Sequence, residues 1–347
     1  MNREALYDRI AGCLMAGALG DALGYEVEFL PWPIIQRKYG RVEKLVLHGG
    51  KAQISDDTQM TLFTNEGLVL GYWQEKQAPS GRDAVYYLHQ AYLCWLRTQW
   101  DKTPSTLENE SELLKEPEMN EPRAPGNTCL AALRSGEMGT LEEPINRSKG
   151  CGGVMRSAPA GFTDAWGEPL RLGAVSAAIT HGHPGAWLPA GMLSDIVYRC
   201  IYFEKKPLED IILDSLRAVK AAWNIPETGP FADLILDAVY LSKSDRGDLE
   251  AIRELGEGWV GDEALAIAVY SCLRYPDSIP GALACAVNHS GDSDSTGAIA
   301  GNILGAYLGL GAAPKDWIDQ LELVGTILRQ AERMTEVAMD ARAGQED

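Results

Sequence analysis

The chain has 347 residues, 46% hydrophobic and 23% charged, with 49 Asp and Glu against 31 Lys and Arg for a formal charge of -18. That balance fits an ordered protein with a large core and excludes low-complexity disorder. The acidic surplus, without any basic patch, argues against a nucleic acid held through its phosphates.

In chain order, the first predicted element is a helix from about residue 3. It contains "IAGC" at Ile10 to Cys13, which resembles a lipoprotein cleavage box, but "MNREALYDR" ahead of it is polar, so no secretory h-region precedes the cysteine. The other cysteines (Cys94, Cys129, Cys151, Cys200, Cys272 and Cys285) form no C-x-x-C pair, which points to reduced thiols. No apolar stretch is long enough to span a bilayer, so a soluble cytoplasmic protein is expected. The same helix ends in "GALGDALGYEVEF", with Gly17, Gly20 and Gly24 on or near it and Glu26 and Glu28 at its exit.

The stretch "FLPWPIIQRKYGRVEKLVLHGGKAQI" reads as a loop, and "KLVLHGG" within it is the best strand candidate in a chain dominated by helical periodicity. "ISDDTQMTLFTNEGL" then sets Ser55, Asp56 and Asp57 at a helix start, where backbone N–H groups and the positive dipole end favour anionic side chains; an ordinary acidic cap would look the same. Further helices are predicted from near 58, 82 and 128, with the acidic, Pro-rich stretch 100–125 between the last two read as a surface excursion within one domain. "NRSKGCGGVMRSAPAG" is a glycine loop of the kind that can cradle phosphate on backbone N–H groups, or simply a tight turn. "SAAITHGHPGAW" adds His181 and His183, either of which is a ligand contact or a satisfied polar group.

Helices are expected from near 171, 186, 207, 231, 262, 278, 295 and 317, with a frayed tail from about residue 340. The segment "NHSGDSDSTGAIAGNILGAYLGL" places Asp292 and Asp294 in a turn. Two carboxylates about 4 Å apart repel by roughly 4 kcal/mol at an effective dielectric near 20, so the pair calls for a cation or a shared proton. Gly297, Gly301, Gly305 and Gly309 recur every fourth residue, a stripe that forfeits about 2–4 kcal/mol of helix propensity and makes sense only if a neighbouring helix approaches closely. The helix carrying Gly17, Gly20 and Gly24 is the expected neighbour, which would draw Glu28 towards the aspartates. An EF-hand reading fails because its twelfth position is Ile303, not a bidentate Glu. A phosphatase with a D-x-D-x-T nucleophile (Asp292, Asp294, Thr296) would need a preceding buried strand, and "GALACAVNHSG" reads as helix.

Taken together, "GALGDALGYEVEF", "ISDDTQM", "APGNTCLAAL", "SKGCGGVMRSAP", "ITHGHP", "GWVGDEALAIAVY" and "NHSGDSDSTGAIAGNILGA" resemble the ordered motifs of the ADP-ribosylglycohydrolase family, over most of the chain. The resemblance implies an all-α fold, one large domain of orthogonally packed helices over residues 1–347, with two divalent cations, Mg2+ or Mn2+, in a cleft. It carries the metal ligands to Ser55, Asp56, Asp57, Asp292, Asp294 and Ser295, and the family's glutamate to Glu28, with Glu28, Asp56 and Asp294 as catalytic carboxylates. Its phosphate loop falls on Ser148, Gly150, Cys151, Gly152 and Gly153, a second loop on Gly126, Asn127 and Thr128, and a ligand-contacting histidine on His181. Oxygen ligands without Cys or His suit hard cations rather than zinc.

The implied activity is hydrolysis of the bond between ADP-ribose and an acceptor, most simply a mono-ADP-ribosylated protein, by a monomer with no membrane or nucleic-acid partner. An inactive ADP-ribose-binding relative is the alternative; such a relic should have eroded ligands, and all six positions here keep oxygen-bearing side chains. Three positions depart from the family pattern: Cys151 where many members have Asn, Ser55 and Ser295 where Thr is commoner, and Ala124 where nitrogenase-regulating members are acidic.

Overall fold

The computed structural model describes residues 1–203 and 206–346. Fifteen α-helices lie among them. The first half of the chain forms α1 (Arg3–Gly24), α2 (Trp32–Tyr39), α3 (Asp56–Gln77), α4 (Ala84–Thr98), α5 (Asn127–Arg134), α6 (Pro169–Ala178) and α7 (Pro184–Tyr202). The second half forms α8 (Leu208–Ala222), α9 (Thr228–Ser242), α10 (Asp248–Leu255), α11 (Gly261–Arg274), α12 (Ile279–Val287), α13 (Ser293–Leu308), α14 (Lys315–Gln320) and α15 (Val324–Glu346). Only isolated bridges of β type occur among the described residues, and no helix is long and apolar enough to cross a membrane.

The axis of the fold is the pairing of α1 with α13, and small residues dictate it. A Cβ on Gly20 would stand 2.0 Å from the Gly297 carbonyl oxygen, one on Gly301 2.0 Å from that of Ala16, and one on Gly305 2.0 Å from that of Gly12. The helices therefore touch backbone to backbone along their length, as the stripe predicts. One detail differs from expectation: Gly309 lies past the end of α13 at φ +87°. Gly17 meets α13 at the Asn302 amide, which donates to the Cys13 carbonyl at 3.0 Å. Around this pair the other helices bury their apolar faces in a single core. The α3–α4 contact uses the same device, with Gly67 and Gly71 seated against Ala91 and Tyr87.

All twelve predicted helix starts fall within three residues of an observed one. Three helices were not foreseen. Residues 32–39, read as loop, begin a helix behind Pro33 in its first turn, where a missing N–H costs nothing; α10 is short; and α15 follows α14 as a separate helix. "KLVLHGG" is not a strand: it contributes only a His48–Lys51 bridge around Gly49 and Gly50, both at positive φ. Of the tail expected to fray from about 340, residues 340–346 continue α15 and residue 347 lies outside the described residues. Its start is held by a 2.6 Å hydrogen bond from the Tyr72 hydroxyl to Asp340 and by the Arg342 guanidinium 4.0 Å from the Tyr202 ring centre. The stretch 100–125 is anchored too. Leu107, Leu113 and Met119 are buried, and the Glu66 carboxylate accepts from the N–H groups of Glu112 and Leu113 at 2.8 and 3.2 Å.

Candidate active site

Two helix starts carry the acidic residues. Ser55 caps α3, its hydroxyl accepting from the Asp57 N–H at 3.2 Å, and Asp292 caps α13, accepting from the Ser295 N–H at 3.3 Å. Helix α1 locks them together. Its Gly24 lies against the Ser293 carbonyl, where a Cβ would come within 2.3 Å, and its buried Asp21 accepts from the N–H groups of Ser55 and Thr58 at 3.0 Å. Glu28 follows in the turn that ends α1, its N–H on the Gly24 carbonyl at 3.0 Å. The result is that one carboxylate oxygen each from Glu28, Asp292 and Asp294 lie within 4.8 Å of one another. Asp56, Asp57 and Ser295 line the same cavity of about 270 Å³, whereas Ser55 is fully buried and is not part of its wall.

This concentration of carboxyl groups has no cationic side chain in ion-pair contact among the described residues. Burial, compounded by Asp294, Asp292 and Asp56, pushes Glu28 up to about 11, and burial with Asp294 pushes Asp21 up to about 7. Asp56, Asp57 and Asp292 are raised well above the usual carboxylate range and Asp294 is raised, burial being the first cause each time. One oxygen of Glu28 and one of Asp57 are buried with no hydrogen-bond partner. Crowded, orphaned oxygens of this kind fit a hard divalent cation. The Cys151 thiol contributes its own contact, donating to Asp292 at 2.6 Å.

The opposite wall is backbone. Gly150 pairs with Val260, the Cys151 N–H donates to the Trp259 carbonyl at 3.2 Å, and the Gly261 N–H to that of Lys149 at 2.9 Å. The glycine loop thus leans on the start of α11 and opens only a single 3-10 turn, Cys151–Gly153. Gly126, Asn127 and Thr128, at the start of α5, line the cavity beside Gly150, Cys151 and Gly152. The Gly126 N–H donates to Asp56 at 3.2 Å, which joins this wall to the acidic floor. Ser148 braces the loop from behind, its hydroxyl 3.2 Å from that of Thr128 and from the Gly150 N–H, and Gly153 packs on Ala177; neither lines the cavity. Of the two histidines, His181 lines the cavity and is held neutral, near 3, by burial and by Arg156. His183 instead caps α7, accepting from the Gly185 N–H at 2.9 Å.

Several residues went unassigned in the sequence. Phe29, 65% exposed with φ +63°, stacks on Trp259 at 5.2 Å at the cavity mouth. Trp259 sits inside a motif already noticed, but nothing in the spacing pairs it with Phe29. Asp21 is likewise inside "GDALG", and its work on α3 depends on tertiary contact alone. The phosphatase alternative fails on geometry, since Asp292 begins a helix and follows α12.

An all-helical fold with an acidic floor facing a glycine-lined wall defines a glycosidase of a particular kind. The chain belongs to the ADP-ribosylglycohydrolase family, whose model matches residues 2–344, and is an enzyme that hydrolyses ADP-ribose linkages. It is 26% identical over 334 residues to the ADP-ribosyl-[dinitrogen reductase] glycohydrolase of Rhodospirillum rubrum, covering 93% of each chain. It is 27% identical to an uncharacterized protein of Archaeoglobus fulgidus over 324 residues, 91% of this chain and 92% of that one. In fold it is similar to a solved ADP-ribosylglycohydrolase-related protein complex, with a TM-score of 0.67 and 22% identity over 97% of this chain and all of the other.

Proposed function

We propose that the protein is a Mg2+- or Mn2+-dependent glycohydrolase that releases ADP-ribose from mono-ADP-ribosylated protein side chains. Ser55, Asp56, Asp57, Asp292, Asp294 and Ser295 would hold two divalent cations, which when bound polarise a water and grip the ribose hydroxyls. Glu28 carries the proton of the leaving acceptor as the anomeric carbon passes through an oxocarbenium-like state. Asp56 and Asp294 flank Glu28 and fix the charge on the cleft floor. Gly152, Asn127 and Thr128 offer backbone N–H groups to the diphosphate, those of Gly126, Gly150 and Cys151 being engaged by Asp56, Ser148 and Trp259; His181 adds a ring nitrogen, and the Phe29–Trp259 pair gives the adenine a face to stack on.

The observation that carries this reading is the meeting of Glu28, Asp292 and Asp294 within 4.8 Å, opposite a glycine loop. The test is a panel of acceptors mono-ADP-ribosylated on arginine, serine or nucleobase, assayed with Mg2+ and with Mn2+. Release of free ADP-ribose from a protein side chain is expected. Binding of ADP-ribose with no release from any linkage in either metal would overturn the catalytic reading and leave a binding protein.

A further inference from the structure

Arg156 is a cation sealed in the core. It is fully buried, yet no carboxylate pairs with it among the described residues. Its guanidinium lies 4.1 Å from the centre of the Tyr92 ring, one nitrogen meets the sulfurs of Met60 and Cys129 at 3.5 Å, and another donates to the Ser176 carbonyl at 3.2 Å and to Thr180 Oγ1 at 2.7 Å. Desolvating an unpaired guanidinium is expensive, so what it holds in place matters. Thr180 Oγ1 lies 2.8 Å from His181 Nδ1, and His181 Nε2 is turned to the glycine loop, 3.3 Å from where a Cβ on Gly150 or Gly152 would stand.

We propose that Arg156 is a positioning residue which, through Thr180, fixes His181 with its proton on Nε2, so that the ring donates a hydrogen bond to a phosphate oxygen in the cleft. The proposal rests on the glycohydrolase reading for its ligand, but not for its hydrogen-bond argument. A guanidinium has donors only and stays charged, so Thr180 Oγ1 must accept from it. That hydroxyl then has one hydrogen to place. Its other neighbour, the Cys129 thiol, is a weak acceptor, whereas His181 Nδ1 is a strong one at good distance. An oxygen already accepting from a cation is also a better donor, and the positive charge behind Thr180 opposes a second N–H aimed at it. Nδ1 therefore accepts, and the neutral ring carries its hydrogen on Nε2. Phosphate oxygens only accept, so the opposite tautomer would set a lone pair against the ligand.

The test uses the full-length protein labelled with 15N, with Thr180→Ser and Thr180→Val beside the wild type. Long-range 1H–15N spectra of the His181 ring report which nitrogen is protonated, and steady-state kinetics on an ADP-ribosylated protein separate KM from kcat. Wild type and Thr180→Ser should show Nε2 protonated and Nδ1 bare. Thr180→Val should lose that single tautomer and raise KM about tenfold, the weight of one hydrogen bond to a charged group, with kcat within about twofold. A protonated Nδ1 in the wild type would overturn the proposal, as would a Thr180→Val protein with unchanged spectrum and KM. If the wild type releases no ADP-ribose at all, the glycohydrolase reading falls and the ring spectra alone decide the tautomer.

Discussion

Replacing Gly301 by alanine tests the contact on which the cleft is built. A Cβ there would stand 2.0 Å from the Ala16 carbonyl oxygen and 2.4 Å from its carbonyl carbon, both backbone atoms of α1 that no rotamer change can move. The two helices must separate by more than an ångström to admit it. Overpacking of this kind costs about 3 kcal/mol where the neighbour cannot yield, and the better helix propensity of alanine returns about 1 kcal/mol, leaving a net loss of about 2 kcal/mol. Gly229 supplies the control. It also lies in a helix, but nothing comes within 4 Å of its Cβ position, so alanine there should stabilise by up to about 1 kcal/mol. Urea unfolding of both variants at matched m-values decides the matter. Equal signs for the two substitutions, or a Gly301→Ala protein as stable as wild type, would refute the claim that backbone contact between α1 and α13 sets the fold.

Other outcomes follow from the site. Glu28→Gln should lower turnover by about 10²–10⁴ while free ADP-ribose still binds; turnover near wild type would reject Glu28 as the proton carrier. Because the folded value of Glu28 is raised from 4.5 to about 11, its protonated form favours the fold, a contribution complete below 4.5 and lost as pH climbs towards 11. Cation-free protein should therefore melt lower at about pH 8.5 than at about pH 6, and Mg2+ or Mn2+ should stabilise more at the higher pH, where fewer protons compete for the oxygens; calorimetry with and without chelator reads both trends. Asp21→Asn keeps one acceptor oxygen for Thr58 but sets an amide N–H2 against the Ser55 N–H, and should lower stability by about 2 kcal/mol in urea and weaken the metal-induced shift. Phe29→Ala should weaken ADP-ribose by about 1–3 kcal/mol in titration calorimetry and leave ribose 5-phosphate unaffected.

Much of this was legible from residue order. Glycines at every fourth position have a cost that only close packing offsets, so the α1–α13 contact could be read from the segment 297–305 before any coordinate. Asp292 and Asp294 stood out for a similar reason, two carboxylates that close calling for a cation or a shared proton, whereas Asp56 and Asp57 read equally well as an ordinary acidic cap. What stayed hidden depends on partners far apart in the chain. Asp21 looks like any helix carboxylate until α3 is laid across it, and Phe29 and Trp259 become a pair only when the turn after α1 meets the start of α11. Helix α2 was missed because "PWPII" reads as a breaker, although proline is at home in a first turn. Spacing alone did not separate His181 from His183; the resemblance picked out His181, and the directions of the rings put His181 in the cavity wall and make His183 a cap.

The partnership of the earliest helix with one of the last also sets a schedule for the newborn polypeptide. Gly24 leaves the ribosome long before Ser293, and at 5–20 residues per second the wait lasts roughly 15–50 s. During that interval the face of α1 that meets Gly297, Gly301 and Gly305 has nothing to close it. Asp292 and Asp294 are made only at the end of that wait, so the cluster they form with Glu28 is among the last features of the fold to assemble.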